Sequence, residues 1–171
     1  MLLSELITPS LISCELSGRT KDDVIGELAN LFASENIIEN KDEFIEKIKV
    51  REQIESTAIG NGIAIPHARS SSVKKLAVAF GKSKDGVDFD SADEKPVYLF
   101  FMIAAPENAH KEYLQAVAKV ARFLKCNGIK EKLLTANSKE DVIKIISDFD
   151  NTYKNGISVK TKEGRVIYTQ K

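Results

Sequence analysis

A continuous apolar run in the middle of the chain constrains the fold more than any other feature. Residues 97–105 read Val-Tyr-Leu-Phe-Phe-Met-Ile-Ala-Ala, almost without a polar residue. The run is too short to cross a membrane as a helix, which needs about 20 apolar residues. A run of this length without alternation is typical of a central strand that is covered on both faces. The chain is therefore predicted to pack other elements against both sides of a sheet.

Helix signals alternate with shorter strand signals around this run. Each helix signal combines a capping residue with an apolar stripe at helical spacing. The predicted helices start at Thr20, Asn40, Asn108 and Ser138, and their inward stripes are Val24, Ile25, Leu28, Leu31 and Phe32; Phe44, Ile45 and Ile48; Leu114, Val117, Ala121 and Leu124; and Val142, Ile145, Ile146 and Phe149. Strands are predicted within residues 11–16 and 76–80. This alternation predicts an α/β layered domain over residues 1–150.

The last part of the chain, residues 151–171, differs from the rest. Residues 157–161 and 165–169 alternate around Lys162-Glu163-Gly164, a pattern that predicts a β-hairpin extension. An isolated hairpin is marginal in water, so an ordered one needs support from the domain, from a sheet edge or from a second copy in a homodimer. Disorder and contact with an acidic partner are the other readings.

The charge balance of the chain limits its partners. Lysine plus arginine and aspartate plus glutamate both number 25 among 171 residues, so the formal net charge is zero. A neutral chain has no global field that attracts nucleic acid or an anionic membrane, and neither is expected as a partner. The first residues lack a basic signal-peptide region, and no apolar run is long enough for membrane insertion. The protein is expected to be cytoplasmic.

The two cysteines and two histidines do not form a metal-site pattern. Cys14 and Cys126 lie far apart, and no Cys-x-x-Cys motif is present. Both are expected to be reduced thiols that serve in packing. None of the spacings is typical of zinc ligands, so neither a metal nor another cofactor is predicted.

Residues 60–67 hold the first candidate for chemistry. They read Gly-Asn-Gly-Ile-Ala-Ile-Pro-His, a short alternating strand that ends in a proline and a histidine. On a strand, Ile63, Ile65 and His67 share a face, while Pro66 weakens pairing where the chain leaves the sheet. A histidine held in this way suits nucleophilic work near neutral pH. The alternative is a surface histidine beside a turn.

Arg51 and His110 are the other two candidates. Arg51 continues the inward stripe of the second predicted helix, a position that favours contact with an anion. The alternative is an arginine that complements the helix dipole at the C-terminus. His110 lies one turn before Leu114, on the predicted inward face at a helix N-terminus, where free N–H groups favour an anion. The alternative is a histidine at the core edge that bonds a backbone carbonyl.

Three classes of function fit these residues, with Thr57 nearby. The first is phosphoryl transfer through a phosphohistidine at His67, with Arg51 and His110 donating to the phosphate oxygens. The second is histidine-based acid–base catalysis on a small metabolite. The third is a regulatory binding domain without chemistry. The sequence contains no Gly-x-x-x-x-Gly-Lys-Ser/Thr loop and no Gly-x-Ser-x-Gly elbow, so nucleotide phosphoryl donors and serine hydrolysis lack support.

Two separated motifs resemble a known family. Residues 51–68 read Arg-Glu-Gln-Ile-Glu-Ser-Thr-Ala-Ile-Gly-Asn-Gly-Ile-Ala-Ile-Pro-His-Ala, and residues 109–124 read Ala-His-Lys-Glu-Tyr-Leu-Gln-Ala-Val-Ala-Lys-Val-Ala-Arg-Phe-Leu. Both resemble enzyme IIA of the fructose/mannitol type of the bacterial phosphoenolpyruvate-dependent sugar phosphotransferase system, including its nitrogen-regulatory branch. The resemblance covers about residues 1–150. Ala58 stands where glycine is frequent in the motif, and the standard domain lacks the tail.

The resemblance implies a fold, a reaction and partners. The implied fold is a mixed central sheet flanked by helices. His67 corresponds to the histidine that accepts a phosphoryl group on Nε2 from the phosphocarrier protein HPr and passes it to a cysteine of enzyme IIB, with its Nδ1 bonded to a backbone carbonyl. Arg51 and His110 match positions that bracket the phosphohistidine. No IIB or membrane IIC module is present, so we expect a separate IIA that serves sugar uptake or, alternatively, controls other proteins as a nitrogen-type regulator.

Overall fold

The central sheet has six strands and lies between two layers of helices. The structure, a computed structural model, describes residues 1–154, 159–160 and 166–167. The strands of the sheet are β1 (Ile12–Ser13), β2 (Ala58–Gly60), β3 (Ile63–Ala64), β4 (His67–Ser70), β5 (Ala77–Val87) and β6 (Val97–Pro106). The helices are α1 (Leu3–Leu6), α2 (Lys21–Ser34), α3 (Lys41–Ile54), α4 (His110–Lys125), α5 (Ile129–Thr135) and α6 (Lys139–Lys154), with a 3₁₀ turn at Pro9–Leu11.

The apolar run forms β6, the middle strand, as predicted. On one side β6 pairs with β5 in antiparallel fashion, and on the other it pairs with β3 and β4 in parallel fashion. The sheet is therefore mixed, which confirms the predicted fold class. Phe100 and Met102 of β6 face one core, while Leu99, Phe101 and Ile103 face the other. All five side chains are fully buried, and this explains why the run shows no alternation.

Each face of the sheet carries its own helices. Helices α2 and α3 cover the first core through Val24, Leu28, Phe32, Phe44 and Ile48. Helices α1, α4, α5 and α6 cover the second core through Leu3, Val120, Phe123, Leu133 and Ile146. The arrangement is a three-layer α/β sandwich, in which apolar stripes bury themselves against both faces of one sheet.

Strands β3 and β4 form one line along β6 that is interrupted at Pro66. Ile63 lies opposite Leu99 and His67 lies opposite Ile103, so the register is the same before and after the break. Proline has no N–H to donate, and the ladder cannot continue through it. The Pro66 carbonyl still accepts from the Ile103 N–H at 2.9 Å. His67 is therefore the first residue after a break in an otherwise regular strand.

The predicted start of the third helix was wrong, and its predicted inward face was only partly correct, since Val117 and Leu124 pack partly buried on the second core. Thr20 and Asn40 cap α2 and α3 as predicted, but α4 begins at His110 after Ala109, and no side chain caps it. Its buried residues are Ala116, Val120 and Phe123, whereas Leu114 is 53% exposed. The helix carries apolar residues on two adjacent faces, and the face with Phe123, whose ring lies 5.9 Å from that of Phe101 between centroids, is the more deeply buried.

The chain beyond residue 150 continues α6 to Lys154, past the predicted domain boundary. Strand β7 (Val159–Lys160) then pairs in antiparallel fashion with β8 (Val166–Ile167), and these residues lie within the predicted hairpin strands. The remaining predicted hairpin residues, 157–158, 161, 165 and 168–169, lie outside the described residues. Within the described ranges, none of the helices is both long enough and apolar enough to pass through a membrane.

Candidate functional site

The interrupted strand fixes the orientation of His67. Its Nδ1 lies 2.7 Å from the carbonyl oxygen of Ile65, two residues earlier in the chain. A carbonyl oxygen can only accept, so Nδ1 carries the hydrogen that it receives. In the neutral ring, Nε2 then keeps its lone pair. The break at Pro66 thus produces an imidazole with a defined donor nitrogen and a defined nucleophilic nitrogen.

The surroundings of His67 keep its ring neutral. Ile63 and Ile65 pack against the second core and His67 contacts Tyr113 of that same core, as the alternation predicts for residues on one face. Burial lowers the pKa of His67 from its ordinary value, and the Arg51 charge lowers it further. The hydrogen bond with Ile65 and the Glu52 carboxylate act in the opposite direction. Because burial is the largest cause, the neutral nucleophilic form is favoured.

Arg51 lies in the last turn of α3 and is half-buried. Its Nη1 donates to the carbonyl oxygen of Glu55 at 2.8 Å, so it bonds the end of its own helix. Its charge also acts on His67 and on Tyr113. The bond to Glu55 fits the reading of Arg51 as an arginine at a helix C-terminus, and contact with an anion stays a prediction. One Nη1 bond leaves further donors on the guanidinium group for an anion.

His110 is the first residue of α4 and is exposed. The prediction that it points inward with Leu114 is therefore wrong. The face that packs on the sheet lies one to two residues further along the helix. The α4 side chain whose ring contacts that of His67 is Tyr113, at 5.6 Å between centroids. His110 remains a candidate because it lies less than one helical turn from Tyr113.

Sequence reasoning missed two residues of this site, Tyr113 and Arg69. Arg69 is two residues beyond His67 on β4 and therefore lies on the same face. Its Cζ is 5.6 Å from the centroid of the Tyr113 ring, and its Nη1 donates to the Glu107 carbonyl at 2.9 Å. The period of two along β4 could have revealed Arg69. Nothing local marks Tyr113, which is brought to His67 by the packing of α4.

Glu52, the residue after Arg51, was also missed. It is only 6% exposed, and its carboxylate accepts from the backbone N–H of Thr57 at 3.1 Å and from the Thr57 hydroxyl. The Nζ of Lys21 lies 3.1 Å from the same carboxylate. Lys21 also lies over the Phe89 ring at 4.7 Å. Glu52 lies four residues after Ile48 and eight after Phe44, so helical spacing could have placed it on the inward face. Its partners Thr57 and Lys21 could be found only from the structure.

The cysteines take no part in this cluster. Cys14 is a free thiol, and both Cys14 and Cys126 pack partly buried against the second core. Burial raises the pKa of Cys14, which disfavours the reactive thiolate. Across residues 1–154, 159–160 and 166–167, no group of three or more His, Cys, Asp or Glu side chains is placed to hold a metal ion.

The fold and this site define a class: a layered α/β domain built around one partly buried, neutral histidine at a strand break. The family model described as "Phosphoenolpyruvate-dependent sugar phosphotransferase system, EIIA 2" matches residues 5–149. The chain therefore belongs to this family, as the two motifs predicted.

Two relatives of the chain are named as fructose-specific components. The chain is 39% identical over 150 residues to the fructose-specific EIIABC component of Bacillus subtilis, covering 88% of the chain but only 24% of that longer protein. It is 37% identical over 143 residues to the fructose-specific EIIA component of Haloferax volcanii, covering 83% of the chain and 93% of that protein.

Solved structures show the same fold. The nitrogen regulatory protein IIA-Ntr of Neisseria meningitidis superposes with a TM-score of 0.77 at 34% identity, covering 84% of this chain and 97% of that one. The mannitol enzyme IIA of Escherichia coli, solved in complex with phosphorylated enzyme IIB, superposes with a TM-score of 0.71 at 21% identity, covering 83% and 97%. At that identity the second likeness concerns the fold alone.

Proposed function

We propose that the protein is a phosphoryl carrier that accepts a phosphoryl group from phospho-HPr on His67 and passes it to a cysteine of an enzyme IIB in sugar uptake. The observation that carries this proposal is the 2.7 Å hydrogen bond from His67 Nδ1 to the Ile65 carbonyl. It leaves Nε2 as the nitrogen with a lone pair. The second support is family membership, since the family model is named for the sugar phosphotransferase system.

The chemistry requires little beyond positioning and charge. In the first step the His67 Nε2–P bond forms as the N–P bond of phospho-HPr breaks. In the second step the S–P bond on the IIB cysteine forms as the Nε2–P bond breaks. The transition state spreads negative charge over three equatorial oxygens, so cationic donors around the histidine stabilise it. Arg51 supplies a planar guanidinium, and His110 and the N–H groups of its helix are the further proposed donors.

Exposed apolar side chains near the site support contact with successive partners. Ile54 at the end of α3, Ile59 on β2 and Leu114 on α4 are 77%, 74% and 53% exposed. Ile63 and Ile65, which share a face with His67 in the predicted alternation, were also expected to contact the partners. Both are half-buried against the second core. A carrier that meets two partners in turn needs a transient interface of modest area, and a few exposed apolar side chains fit that requirement.

Intact-mass measurement tests the phosphoryl acceptor. The protein is incubated with phosphoenolpyruvate, enzyme I and HPr, and one phosphoryl adduct is expected on the wild type. His67→Ala is expected to carry none, while His110→Ala, the matched histidine variant, still acquires the adduct at a lower rate. Addition of a sugar-specific enzyme IIB is then expected to remove the adduct from the wild type. An undiminished adduct on His67→Ala would rule out the proposed acceptor.

A regulatory role is the second candidate function. The structural likeness to IIA-Ntr at 34% identity favours it, as do the relatives named nitrogen regulatory proteins. In this role the phosphorylated and unphosphorylated forms differ in their binding to other proteins. Failure of onward transfer to any enzyme IIB, together with a protein that binds only one of the two forms, would favour regulation over transport. Adjacent genes for IIB and IIC components would favour transport.

A further inference from the structure

Glu52 is a buried carboxylate whose hydrogen bonds lead towards His67. Both of its oxygens accept from Thr57, one from the N–H at 3.1 Å and the other from the hydroxyl. The Lys21 side chain is only 19% exposed, and its ammonium group lies 3.1 Å from the carboxylate. Burial of a charge costs free energy unless the charge is paired and hydrogen-bonded. This set of partners therefore fixes where the carboxylate and Thr57 lie relative to each other.

The bonds continue from Thr57 to the imidazole. The Thr57 carbonyl accepts from the Ile65 N–H at 3.4 Å, and the Ile65 carbonyl in turn accepts from His67 Nδ1 at 2.7 Å. Ile65 immediately precedes Pro66, where the pairing with β6 is interrupted. The Ile65 peptide is thus bonded from the side of Thr57. The direction in which its carbonyl points depends on where Thr57 is held.

We propose that Glu52 is a positioning residue for His67. By fixing Thr57, and through it the Ile65 carbonyl, Glu52 keeps Nδ1–H bonded and Nε2 available. Glu52 also follows Arg51 directly in α3, so the same buried contacts fix the helix end that carries Arg51. The importance of this arrangement for transfer rests on the proposed phosphoryl acceptance by His67. Its effect on the ring is a property of the unphosphorylated protein.

The tautomer of His67 tests this proposal through a readout that a stability effect alone does not change. In ¹⁵N-labelled wild-type protein above pH 7, the long-range ¹H–¹⁵N spectrum is expected to show the Nδ1–H tautomer of His67. Glu52→Ala is expected to show a mixture with the Nε2–H tautomer. Transfer from phospho-HPr should then slow by about 10-fold, since misplacement of a reacting group on this scale is costly. Glu52→Gln keeps an acceptor oxygen for Thr57 and is expected to restore most of the Nδ1–H tautomer.

Glu43 provides the matched control on the same helix. Its carboxylate accepts from the Ser72 hydroxyl at 2.9 Å and from the Ser70 hydroxyl, at the end of β4 away from Ile65. Glu43→Ala is expected to lower the thermal midpoint, as Glu52→Ala does, but to keep the Nδ1–H tautomer. A wild-type tautomer in Glu52→Ala overturns the proposal. So does the same tautomer mixture in Glu43→Ala, because the cause is then general loosening of α3.

Thr57 provides a second pair of variants if Glu52→Ala does not fold. Thr57→Ser keeps the hydroxyl that bonds Glu52, and Thr57→Val removes it at nearly equal volume. The proposal expects the Nδ1–H tautomer in the first and a mixture in the second, and equal spectra overturn it. A tautomer that depends on Glu52 in a protein that never takes up phosphate contradicts the proposed function but not the positioning role. The two failures are therefore distinguishable.

Discussion

At the scale of single residues, the chemistry of His67 depends on its protonation state. Burial and the Arg51 charge lower its pKa, and the Ile65 carbonyl and Glu52 raise it by less. The net lowering keeps the ring neutral near pH 7 and leaves a lone pair for attack on phosphorus. The protonation state is therefore consistent with the proposed role of His67 as a nucleophile.

Arg51→Gln is expected to raise the pKa of His67, because it removes a positive charge that opposes protonation. In the wild type the pKa should lie below the ordinary value of 6.5, because burial and the Arg51 charge together outweigh the two groups that raise it. An NMR titration of the His67 ring in both proteins measures the change. Arg19→Gln, at an exposed arginine paired with Asp85, is the control and should leave the His67 pKa unchanged. A wild-type pKa above 6.5 would contradict this account.

The lowered pKa also sets the pH dependence of function and stability. The rate of phosphoryl uptake is expected to be flat above pH 6.5 and to decline as the pH falls through the pKa of folded His67. As the pH falls, His67 is protonated in the unfolded chain before it is protonated in the folded one, because its pKa is lower in the folded state. The contribution of His67 to the free energy of unfolding is therefore fully present above pH 6.5 and is lost as the pH falls towards the pKa of the folded state. Denaturant unfolding of wild type and His67→Gln gives the free energy of unfolding of each at pH 7.5 and pH 5. The loss is measured as the decrease, between the two pH values, in the stability of the wild type relative to His67→Gln.

Removal of a single hydrogen-bond donor should slow phosphoryl transfer without unfolding the domain. We expect Arg51→Ala to lower the rate by about 100-fold and exposed His110→Ala by about 10-fold, because donors in water stabilise developing charge less than preorganised, partly buried ones. Rapid-quench measurement of transfer from phospho-HPr gives the rates, and circular dichroism checks the fold. Wild-type rates in both folded variants would exclude a ring of donors around His67.

At the scale of elements, helix α3 is bonded to the site strands at both ends. Near its N-terminus Glu43 accepts from Ser70, the last residue of β4, and from Ser72 just after that strand. Near its C-terminus Glu52 accepts from Thr57, just before β2. These contacts explain how a helix end can hold Arg51 close to a histidine on the sheet. The helix is placed by polar bonds as well as by its apolar stripe.

Asp150 performs a similar task for α1. Its carboxylate accepts from the N–H groups of Leu3 at 3.0 Å and Ser4 at 2.8 Å, although the residue belongs to α6 and is only 3% exposed. Asp150→Ala is expected to lower the free energy of unfolding by about 2 kcal/mol, since it removes a cap and leaves buried donors without an acceptor. Denaturant unfolding followed by circular dichroism measures the loss.

Asp148 is the control for this element-level prediction. Its contact is an exposed i,i+4 ion pair with Lys144 at 3.0 Å, and such pairs contribute little. Asp148→Ala should therefore change the free energy of unfolding by less than about 0.5 kcal/mol. Equal losses in the two variants would show that Asp150 acts only through helix charge and not as a cap.

At the scale of the whole molecule, one buried sheet separates two helical layers. The candidate site lies at the break between β3 and β4. Residues from both layers meet there, Arg51 and Glu52 from α3 and Tyr113 from α4. The site therefore depends on the assembly of the complete domain, because no single element supplies more than part of it.

The hairpin beyond α6 gives a prediction at this scale. Strands β7 and β8 pair with each other, and a two-stranded ribbon needs an additional surface for stability. Deletion of residues 155–171 keeps all of α6 and is expected to change either the thermal midpoint or the oligomeric state, which the mass in solution reports. A lower midpoint with an unchanged oligomeric state indicates packing on the domain, and conversion of a dimer to a monomer indicates a dimer contact. An unchanged midpoint and oligomeric state, with phosphoryl transfer intact, would show that the tail supports neither.

The sequence by itself determined the central strand, the starts of α2 and α3 and the candidate nucleophile. The apolar run became β6, and the capping patterns at Thr20 and Asn40 became the starts of α2 and α3. The alternation up to His67 placed it on the same face as Ile63. These features were readable because caps, alternation and a proline break act between residues only a few positions apart.

Only the tertiary structure decided which faces of the elements meet. It turned α4 so that the ring of Tyr113 contacts the ring of His67, and it brought the Glu52 carboxylate to Thr57. The alternation along β4 could have predicted that Arg69 lies on the same face as His67, but it could not have predicted the contact of Arg69 with Tyr113. The physical reason is that helix rotation is set by the fit of large side chains such as Phe123 against the sheet, and that fit joins residues far apart in the chain.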